Sequence, residues 1–345
     1  MKSNPLLSTL ILLVLFAFGS CTSQGSKQHP DKDPLVKPDV SVQAEKPTPA
    51  FPLPDVPIMI TDPQEGAIYM SKHFWDLFPF TDTTLIGQSD ITEQGFVDYI
   101  ELLNNVPKIE AENSLQIMLD KAKAEPTMYR HFASLFEKYL YDPNSPFRND
   151  ELYIPVVNNL LKSGLMTPVK QEIYSFQQEM ILKNRVGTKA TDFVYTLANG
   201  DKKKMHALQS NYLILFISNP DCPTCATVTE ALANSNILES IFSLNNADTK
   251  MLTVLSIYPD SEIEEWRKVL PHMPQKNWIN AYDDGTILTN KKLYDLKAIP
   301  SLYLLDKNKQ IILKDTSFEE IEAYFMRVRG NSIENDTRNK ELETN

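Results

Sequence analysis

The chain has 345 residues, a length that suits two domains of ordinary size joined by a linker. Its hydrophobic fraction of 42% and aromatic fraction of 10% indicate folded cores and argue against a wholly disordered chain. The formal net charge of −11 disfavours nucleic acid and anionic membrane surfaces as partners, and the ten glycines include no phosphate-binding loop, which argues against nucleotide enzymes.

Residues 1–20 have the three parts of an export signal. Lys2 provides the positive start, residues 10–18 form an apolar run, and two small residues precede a cleavage site. The run is shorter than the roughly 20 residues that a membrane-spanning helix needs. The motif Phe18-Gly19-Ser20-Cys21 resembles the lipobox of bacterial lipoproteins, although Phe18 stands where Leu is usual. The resemblance implies that Cys21 is acylated and becomes the mature N-terminus. The alternative is an ordinary secretory signal followed by an incidental cysteine.

Residues 21–57 have the composition of a disordered tether. Eight prolines fall between Pro30 and Pro57, mixed with Lys, Asp, Ser and Gln and with few apolar residues to bury. A chain of this kind spans roughly 40 Å or more, so we expect it to lift the folded part off a membrane surface. A proline-rich ligand for a recognition domain is the alternative, but no clear PxxP repeat with flanking basic residues supports it.

Residues 58–186 predict an all-α domain. Apolar residues recur at helical spacing from residue 91 to residue 106, and further helices are predicted over 112–124, 126–141, 151–162 and 168–183. His73 and His131 are isolated, so we interpret them as structural residues. An aromatic cluster is predicted to pack a small helical bundle, with a binding groove as the alternative: Tyr69, His73, Phe74, Trp75, Phe78 and Phe80.

The periodicity changes in residues 187–328, which predict an α/β domain with a mixed sheet flanked by helices. A hairpin is predicted from 192–197 and 204–208, buried strands over 212–218 and 251–258, and helices over 224–235 and 262–270. A second hairpin (301–306 and 310–314) and a helix (317–329) close the domain. Residues 329–345 are predicted to form a frayed polar tail.

Cys222 and Cys225 lie between a predicted strand and a predicted helix. Two intervening residues in a first helical turn bring the sulfurs close enough to form a small disulfide ring. Cys222 falls at the helix start, where free N–H groups favour a thiolate, while Cys225 lies a turn deeper. The sequence thus predicts thiol–disulfide exchange with Cys222 attacking and Cys225 resolving the mixed disulfide. A structural disulfide and half of a zinc site are the alternatives, but tetrahedral zinc needs four ligands. We expect no metal and no cofactor.

Ile299-Pro300-Ser301 precedes another predicted strand, and with the cysteine pair it completes a resemblance to thioredoxin-like domains of the TlpA/ResA type. This resemblance implies a cis Pro300 that faces the cysteines and main-chain groups of Ile299 that bind a substrate peptide. Two features depart from that family. Asn219-Pro220-Asp221 replaces the usual Trp before the first cysteine, and Val228 stands where relatives keep a proton-handling Glu. Glu230 and Asp221 are the candidate substitutes for that acid.

The Asn-Pro-Asp variant and the motif His73-Phe74-Trp75-Asp76 resemble Bacteroidetes lipoproteins that carry a helical domain of unknown function, DUF5106, before a thioredoxin-like domain. The resemblance implies a membrane-anchored oxidoreductase that reduces disulfides of exported proteins and receives electrons from an upstream redox protein. Its contact with the membrane would be the lipid anchor alone, on the periplasmic face and with the outer membrane favoured. A redox-regulated adaptor that binds a partner or peptide with little turnover is the alternative. A peroxidase fits less well, since such relatives lack a CxxC motif.

Overall fold

The computed structural model describes residues 51–343, with side chains described as far as residue 330. These residues belong to one compact unit, Pro49–Asn345. The predicted signal peptide, Cys21 and most of the predicted tether lie outside the described residues. Within the described part of the chain, no helix combines the length and the apolar character needed to cross a bilayer.

The first half of the described chain is helical, as predicted. Its helices are α1 (Pro63–His73), α2 (Ser89–Leu103), α3 (Lys108–Ala122), α4 (Pro126–Phe136), α5 (Asp150–Lys162) and α6 (Pro168–Ile181). Three of them begin with proline after a capping side chain, because proline lacks the N–H that a first helical residue leaves unused. The sequence missed α1, and the predicted helix 126–141 ends in a π-helical turn, Glu137–Tyr141.

The aromatic cluster packs the core of these helices. Phe74, Trp75, Phe78 and Phe80 are buried, and Phe132 of α4 contacts three of their rings. The packing interpretation is therefore confirmed for these four residues. Tyr69 and His73 instead stack on each other outside the buried cluster, where His73 pairs with the Asp76 carboxylate at 2.7 Å.

Folded structure begins before the predicted domain boundary at residue 58. The ring of Phe51 lies 5.0 Å from that of Phe74 and 5.1 Å from that of Trp75, measured between centroids. Gly95 of α2 permits this approach, because a Cβ there would lie 2.3 Å from a carbon of the Phe51 ring. The predicted tether therefore does not extend to residue 57, since Phe51 is already packed in the folded unit. The proline-rich composition concealed this, because a single aromatic residue supplies the contact.

The second half forms a seven-stranded mixed sheet. Its strands are β1 (Val194–Leu197), β2 (Lys202–Lys204), β3 (Tyr212–Ile217), β4 (Leu252–Tyr258), β5 (Trp278–Tyr282), β6 (Ser301–Asp306) and β7 (Ile311–Lys314). They lie in the order β2-β1-β5-β4-β3-β6-β7, with β3, β4 and β5 parallel and the other pairs antiparallel. Helices α7 (Pro223–Asn234), α8 (Asn236–Phe242), α9 (Ile263–Val269), α10 (Ile287–Asn290) and α11 (Phe318–Glu343) complete the domain.

Both faces of strand β3 are buried, which explains its uninterrupted apolar sequence. Leu213, Leu215 and Ile217 of β3 enter one core cluster, while Ile214 and Phe216 enter another on the opposite face. Side chains alternate between the two faces of a strand, so a strand covered on both sides has a nearly continuous apolar sequence.

The structure corrects several predicted boundaries in this domain. The second strand of the first hairpin is Lys202–Lys204, and 205–207 form a 3₁₀ turn where the sequence predicted a strand over 204–208. Strand β5 and helix α8 were not predicted. The closing helix continues to Glu343 and so includes most of the predicted polar tail. Short elements such as β2 carry too few residues for a periodic pattern to identify them.

Candidate thiol–disulfide site

The site lies where β3 ends and β6 begins. These strands are antiparallel, and Ile217 at the end of β3 pairs with Ser301 at the start of β6. The segment that leaves β3 toward Cys222 and the loop that enters β6 through Pro300 therefore meet at the same end of these two strands. Two motifs separated by more than seventy residues are brought together by strand register.

Cys222 caps the N-terminus of α7, and Pro223 is the first helical residue. Its backbone is extended, so the side chain projects beyond the helix end and remains half-buried. The pKa of the Cys222 thiol lies below its ordinary value, chiefly because the main-chain N–H of Cys225 donates a hydrogen bond to its sulfur. Thr224 adds smaller hydrogen-bonding contributions in the same direction. The start of the helix thus stabilises a thiolate at Cys222.

Cys225 has the opposite environment one helical turn later. Only 1% of it is exposed, and burial raises the pKa of its thiol to about 12. The neighbouring Cys222 side chain raises it further. Both cysteines are free thiols here. One thiol is therefore partly accessible and easily ionised, while the other is shielded and protonated.

The Ile299–Pro300 peptide bond is cis, as the resemblance implied. The Cys222 thiol lies 3.8 Å from the carbonyl oxygen of Ile299, toward which it donates. The structure thus brings together four of the site residues named from the sequence, namely Cys222, Cys225, Ile299 and Pro300. The fifth, Cys21, lies outside the described residues.

Two cavities near the cysteine motif share Asn219 in their linings and separate the two candidate acids. One, of about 390 Å³, is mostly apolar and is lined by Cys225, Glu230 and His272 among others. The second, of about 430 Å³, is lined by Asp221 together with three further carboxylates, those of Asp260, Glu262 and Glu265. Glu230 therefore shares a cavity with the buried thiol, whereas Asp221 faces an acidic cavity on the other side.

Asn219 fixes the turn before Cys222. Its side-chain oxygen accepts a hydrogen bond from the main-chain N–H of Asp221 at 2.9 Å, and its amide nitrogen donates to Asp260 at 2.6 Å. Asn219 lines both cavities. Sequence patterns did not identify Asp260 or His272 as site residues, because both reach the site from the distant segment around α9. Among the described residues, no three His, Cys, Asp or Glu side chains lie together as a metal site would require.

Two family models match the chain. Residues 20–184 match DUF5106, a domain of unknown function, and residues 210–311 match a thioredoxin-like family. A thioredoxin-like protein from Bacteroides caccae is 41% identical, covers 81% of this chain and 99% of its own length, and superimposes with a TM-score of 0.76. The chain belongs to this family of thioredoxin-like proteins. Both halves predicted from the sequence, a DUF5106 domain followed by a thioredoxin-like domain, are confirmed.

Other solved structures match less than half of the chain. The C-terminal domain of an uncharacterized protein from Bacteroides fragilis is 45% identical, with a TM-score of 0.39, and covers 41% of this chain and 98% of its own. A domain of a possible thiol-disulfide isomerase from Cytophaga hutchinsonii is 25% identical, with a TM-score of 0.33, and covers 44% of this chain and 97% of its own. No curated protein matches the chain.

Proposed function

We propose that this protein is a membrane-anchored thiol–disulfide oxidoreductase that reduces disulfides of exported proteins. The observation that carries the proposal is the contrast between two cysteines one helical turn apart. The pKa of Cys222 is lowered at the helix start, while burial raises that of Cys225 to about 12. A pair of this kind separates the attacking thiol from the resolving thiol.

In the first step the Cys222 thiolate attacks one sulfur of a substrate disulfide. A bond forms between Cys222 and that sulfur, and the second substrate sulfur leaves as a thiolate that takes up a proton. The carbonyl of Ile299, 3.8 Å from the Cys222 sulfur, lies where it can accept a hydrogen bond from the main chain of a bound polypeptide. Such a contact would hold the substrate without selecting its side chains.

In the second step Cys225 loses its proton and attacks the Cys222 sulfur of the mixed disulfide. The Cys222–Cys225 disulfide forms, the remaining substrate sulfur leaves as a thiol, and two electrons have passed to the substrate. Because the pKa of Cys225 is high, this step needs a proton acceptor, and Glu230 in the shared cavity is our candidate. An upstream dithiol protein then reduces the new disulfide and completes the cycle.

The proposed direction of electron flow, net reduction, rests mainly on the resemblance to TlpA/ResA-type proteins and on a moderate rather than strong stabilisation of the reduced form. Hydrogen bonds at the helix start stabilise the reduced form, which alone would make the protein oxidising. No Lys, Arg or His lies within the CPTC motif to extend that stabilisation. We expect a reduction potential nearer to the −270 mV of thioredoxin than to the roughly −120 mV of strong oxidants. Equilibration with glutathione buffers measures it, and a potential above about −180 mV would contradict net reduction.

The proposed location rests on the N-terminal motif. An export signal followed by Cys21 favours acylation and anchoring at the periplasmic face, with the outer membrane favoured over the inner. The proline-rich residues after Cys21 would then hold the folded unit away from the lipid surface. In that compartment the partners are disulfide-bonded exported proteins and the upstream dithiol protein.

The test is insulin-disulfide reduction by residues 49–345, which correspond to the compact unit. We expect turnover with dithiothreitol as electron donor, its loss in Cys222→Ser, and trapped mixed disulfides in Cys225→Ser. Tight, saturable binding of insulin without turnover by the wild-type fragment would instead favour the adaptor function and overturn the enzyme proposal. Mixed disulfides recovered from the envelope with full-length Cys225→Ser would identify the substrates.

A further inference from the structure

Ser301 follows the cis-proline and is hydrogen-bonded to a half-buried carboxylate, that of Asp315. Its hydroxyl lies 3.0 Å from the carbonyl oxygen of Ala298 and 3.2 Å from Oδ1 of Asp315, so it shares one proton between the loop and the carboxylate. Ser301 is 1% exposed, and the Asp315 side chain 13%. The loop that presents Ile299 is therefore anchored at its C-terminal end to Asp315.

Asp315 is in turn held by a residue of the helical domain. Nη1 of Arg148 lies 2.8 Å from Oδ2 of Asp315, and Nη2 of the same guanidinium donates to the main-chain carbonyl of Asp315. The fork thus fixes both the carboxylate and the backbone of this residue, which has a left-handed conformation with φ of 48°. Asp150 of α5 reinforces the contact by pairing with Lys314 at 2.7 Å.

The other end of the loop also contacts the helical domain. Nζ of Lys297 lies 3.7 Å from the centre of the Tyr141 ring and 3.4 Å from Oδ2 of Asp295. The Tyr141 hydroxyl donates to the same carboxylate oxygen at 3.4 Å. Helical-domain side chains therefore hold residues 295–301 from both ends, with Ile299 and Pro300 between them.

These contacts are more than general adhesion between two domains. Buried ion pairs lose hydration and contribute little net stability compared with apolar packing, but their geometry is specific. A planar guanidinium that bonds two oxygens of one residue fixes its position in a way that a single point charge does not. The chain of contacts leads from Arg148 through Asp315 and Ser301 to the loop whose Ile299 carbonyl faces Cys222.

We propose that Arg148 is a positioning residue for the thiol–disulfide site, through which the helical domain sets the place of the substrate-binding loop. This inference rests on the proposed function for its effect on substrate, but the effect on the loop is independent of it. Loosening the loop weakens contacts that the substrate makes both before and during reaction. The expected consequence is a higher KM with little change in kcat.

The experiment compares Arg148→Met with the matched control Lys292→Ala in residues 49–345. Lys292 forms an exposed ion pair with Glu179 across the same two domains, at 3.0 Å, and makes no contact with Ser301 or Asp315. We expect Arg148→Met to raise the KM for insulin about tenfold and to speed amide exchange in residues 295–302. Arg148→Lys should give a KM between those of the wild type and Arg148→Met. Lys292→Ala should change the KM and the amide exchange rate by less than twofold.

Ser301→Ala provides a second variant that leaves the helical domain intact. If Arg148 acts through Ser301, Ser301→Ala also raises the KM for insulin and the amide exchange rate of the loop. The double variant Arg148→Met/Ser301→Ala then changes these quantities by less than the two single effects combined. Equal KM and equal loop exchange in Arg148→Met and Lys292→Ala would overturn the positioning role. If Arg148→Met fails to fold, an unchanged amide exchange rate of the loop in Ser301→Ala would overturn the positioning role instead. A wild-type fragment without insulin turnover would overturn only the proposed function, because the exchange comparison still decides the role of Arg148.

Discussion

Two cysteines of the same motif differ because they meet different parts of one helical turn. Cys222 lies at the free N–H groups of the helix start, which stabilise a negative charge, whereas Cys225 lies one turn deeper and is only 1% exposed. A charge is costly in that buried place, so the pKa of Cys225 rises to about 12. The position of the helix start is therefore the basis for the proposed attacking and resolving roles.

This contrast predicts selective alkylation of the reduced protein. Iodoacetamide reacts with thiolates, so Cys222 should be modified first, with a pH midpoint below that of a free thiol because its pKa is lowered. As the pH falls through that lowered pKa, the rate should decline. Mass spectrometry of timed samples measures the modification of each residue, and Cys225→Ser is the control. Faster modification of Cys225 would reverse the assignment of the two roles.

The two acids near the motif are distinguished by their cavities. Glu230 shares a cavity with Cys225, whereas Asp221 lines the acidic one. We expect Glu230→Gln to slow the resolution of the mixed disulfide about tenfold, below the effect of a buried general base because Glu230 is exposed. Quenched single-turnover samples measure this step. In the matched variant Asp221→Asn the mixed disulfide should be resolved at the wild-type rate. Slow resolution in Asp221→Asn with a wild-type rate in Glu230→Gln would identify Asp221 as the proton acceptor.

At the scale of elements, strand register and one close approach determine what the motifs contact. The antiparallel pairing of Ile217 with Ser301 places the cysteine turn beside the proline loop. In the helical domain, Gly95 leaves space on α2 for the ring of Phe51, which extends the folded region beyond the predicted boundary. Each of these contacts joins segments that are distant in sequence.

Because Phe51 contacts Gly95, we expect the effect of Gly95→Ala on the free energy of unfolding to change sign when Phe51 is replaced by alanine. Gly95→Ala alone should lower the free energy of unfolding by about 1–2 kcal/mol, because the new methyl overlaps the ring. In a Phe51→Ala background, the same change should raise it by up to about 1 kcal/mol through the higher helix propensity of alanine. Urea denaturation of residues 49–345 measures both. Equal effects in the two backgrounds would show that the ring does not limit position 95.

At the scale of the whole molecule, the contact between the two domains is built largely from polar and charged groups. Besides Arg148 and Lys314, Lys183 donates to the main-chain carbonyl of Lys292, and Asn184 donates to that of Leu293, each at 2.8 Å. Such bonds are directional, so they specify one arrangement of the domains more sharply than apolar contact does. The helical domain is in this way bound to the loops around the site.

Anchoring is a prediction about the whole molecule. If Cys21 is acylated, Cys21→Ala should move the protein from the membrane fraction to the soluble periplasm or block its processing. The physical reason is that an acyl chain supplies about 0.8 kcal/mol of membrane affinity per buried CH₂, which alanine removes. Fractionation followed by immunoblotting measures the distribution, with Cys222→Ala as a control that retains the anchor motif. An unchanged membrane fraction would contradict lipid anchoring.

The fold class and the site motif were accessible from the sequence because both depend on local patterns. The apolar run of β3, the helix that begins at Pro223 and the cysteine spacing are contained in short segments. Strand β5 and helix α8 escaped prediction because their sequences carry weak periodicity, and their place is set by pairing and packing. The boundary at residue 58 was misplaced because a contact with α2, distant in the chain, orders Phe51.

By itself, the sequence determined the two-domain organisation and the cysteine pair Cys222 and Cys225, while its resemblance to known domains implied the thioredoxin-like class and the place of Pro300. Helical and strand periodicity, helix caps and motif spacing are properties of neighbouring residues, so they can be recognised without a fold. Only the tertiary structure decided that Glu230 rather than Asp221 shares the cavity of Cys225, and that Arg148 reaches Asp315. Those relations depend on how the sheet and the helical domain pack, since the residues involved approach one another only after the chain has folded.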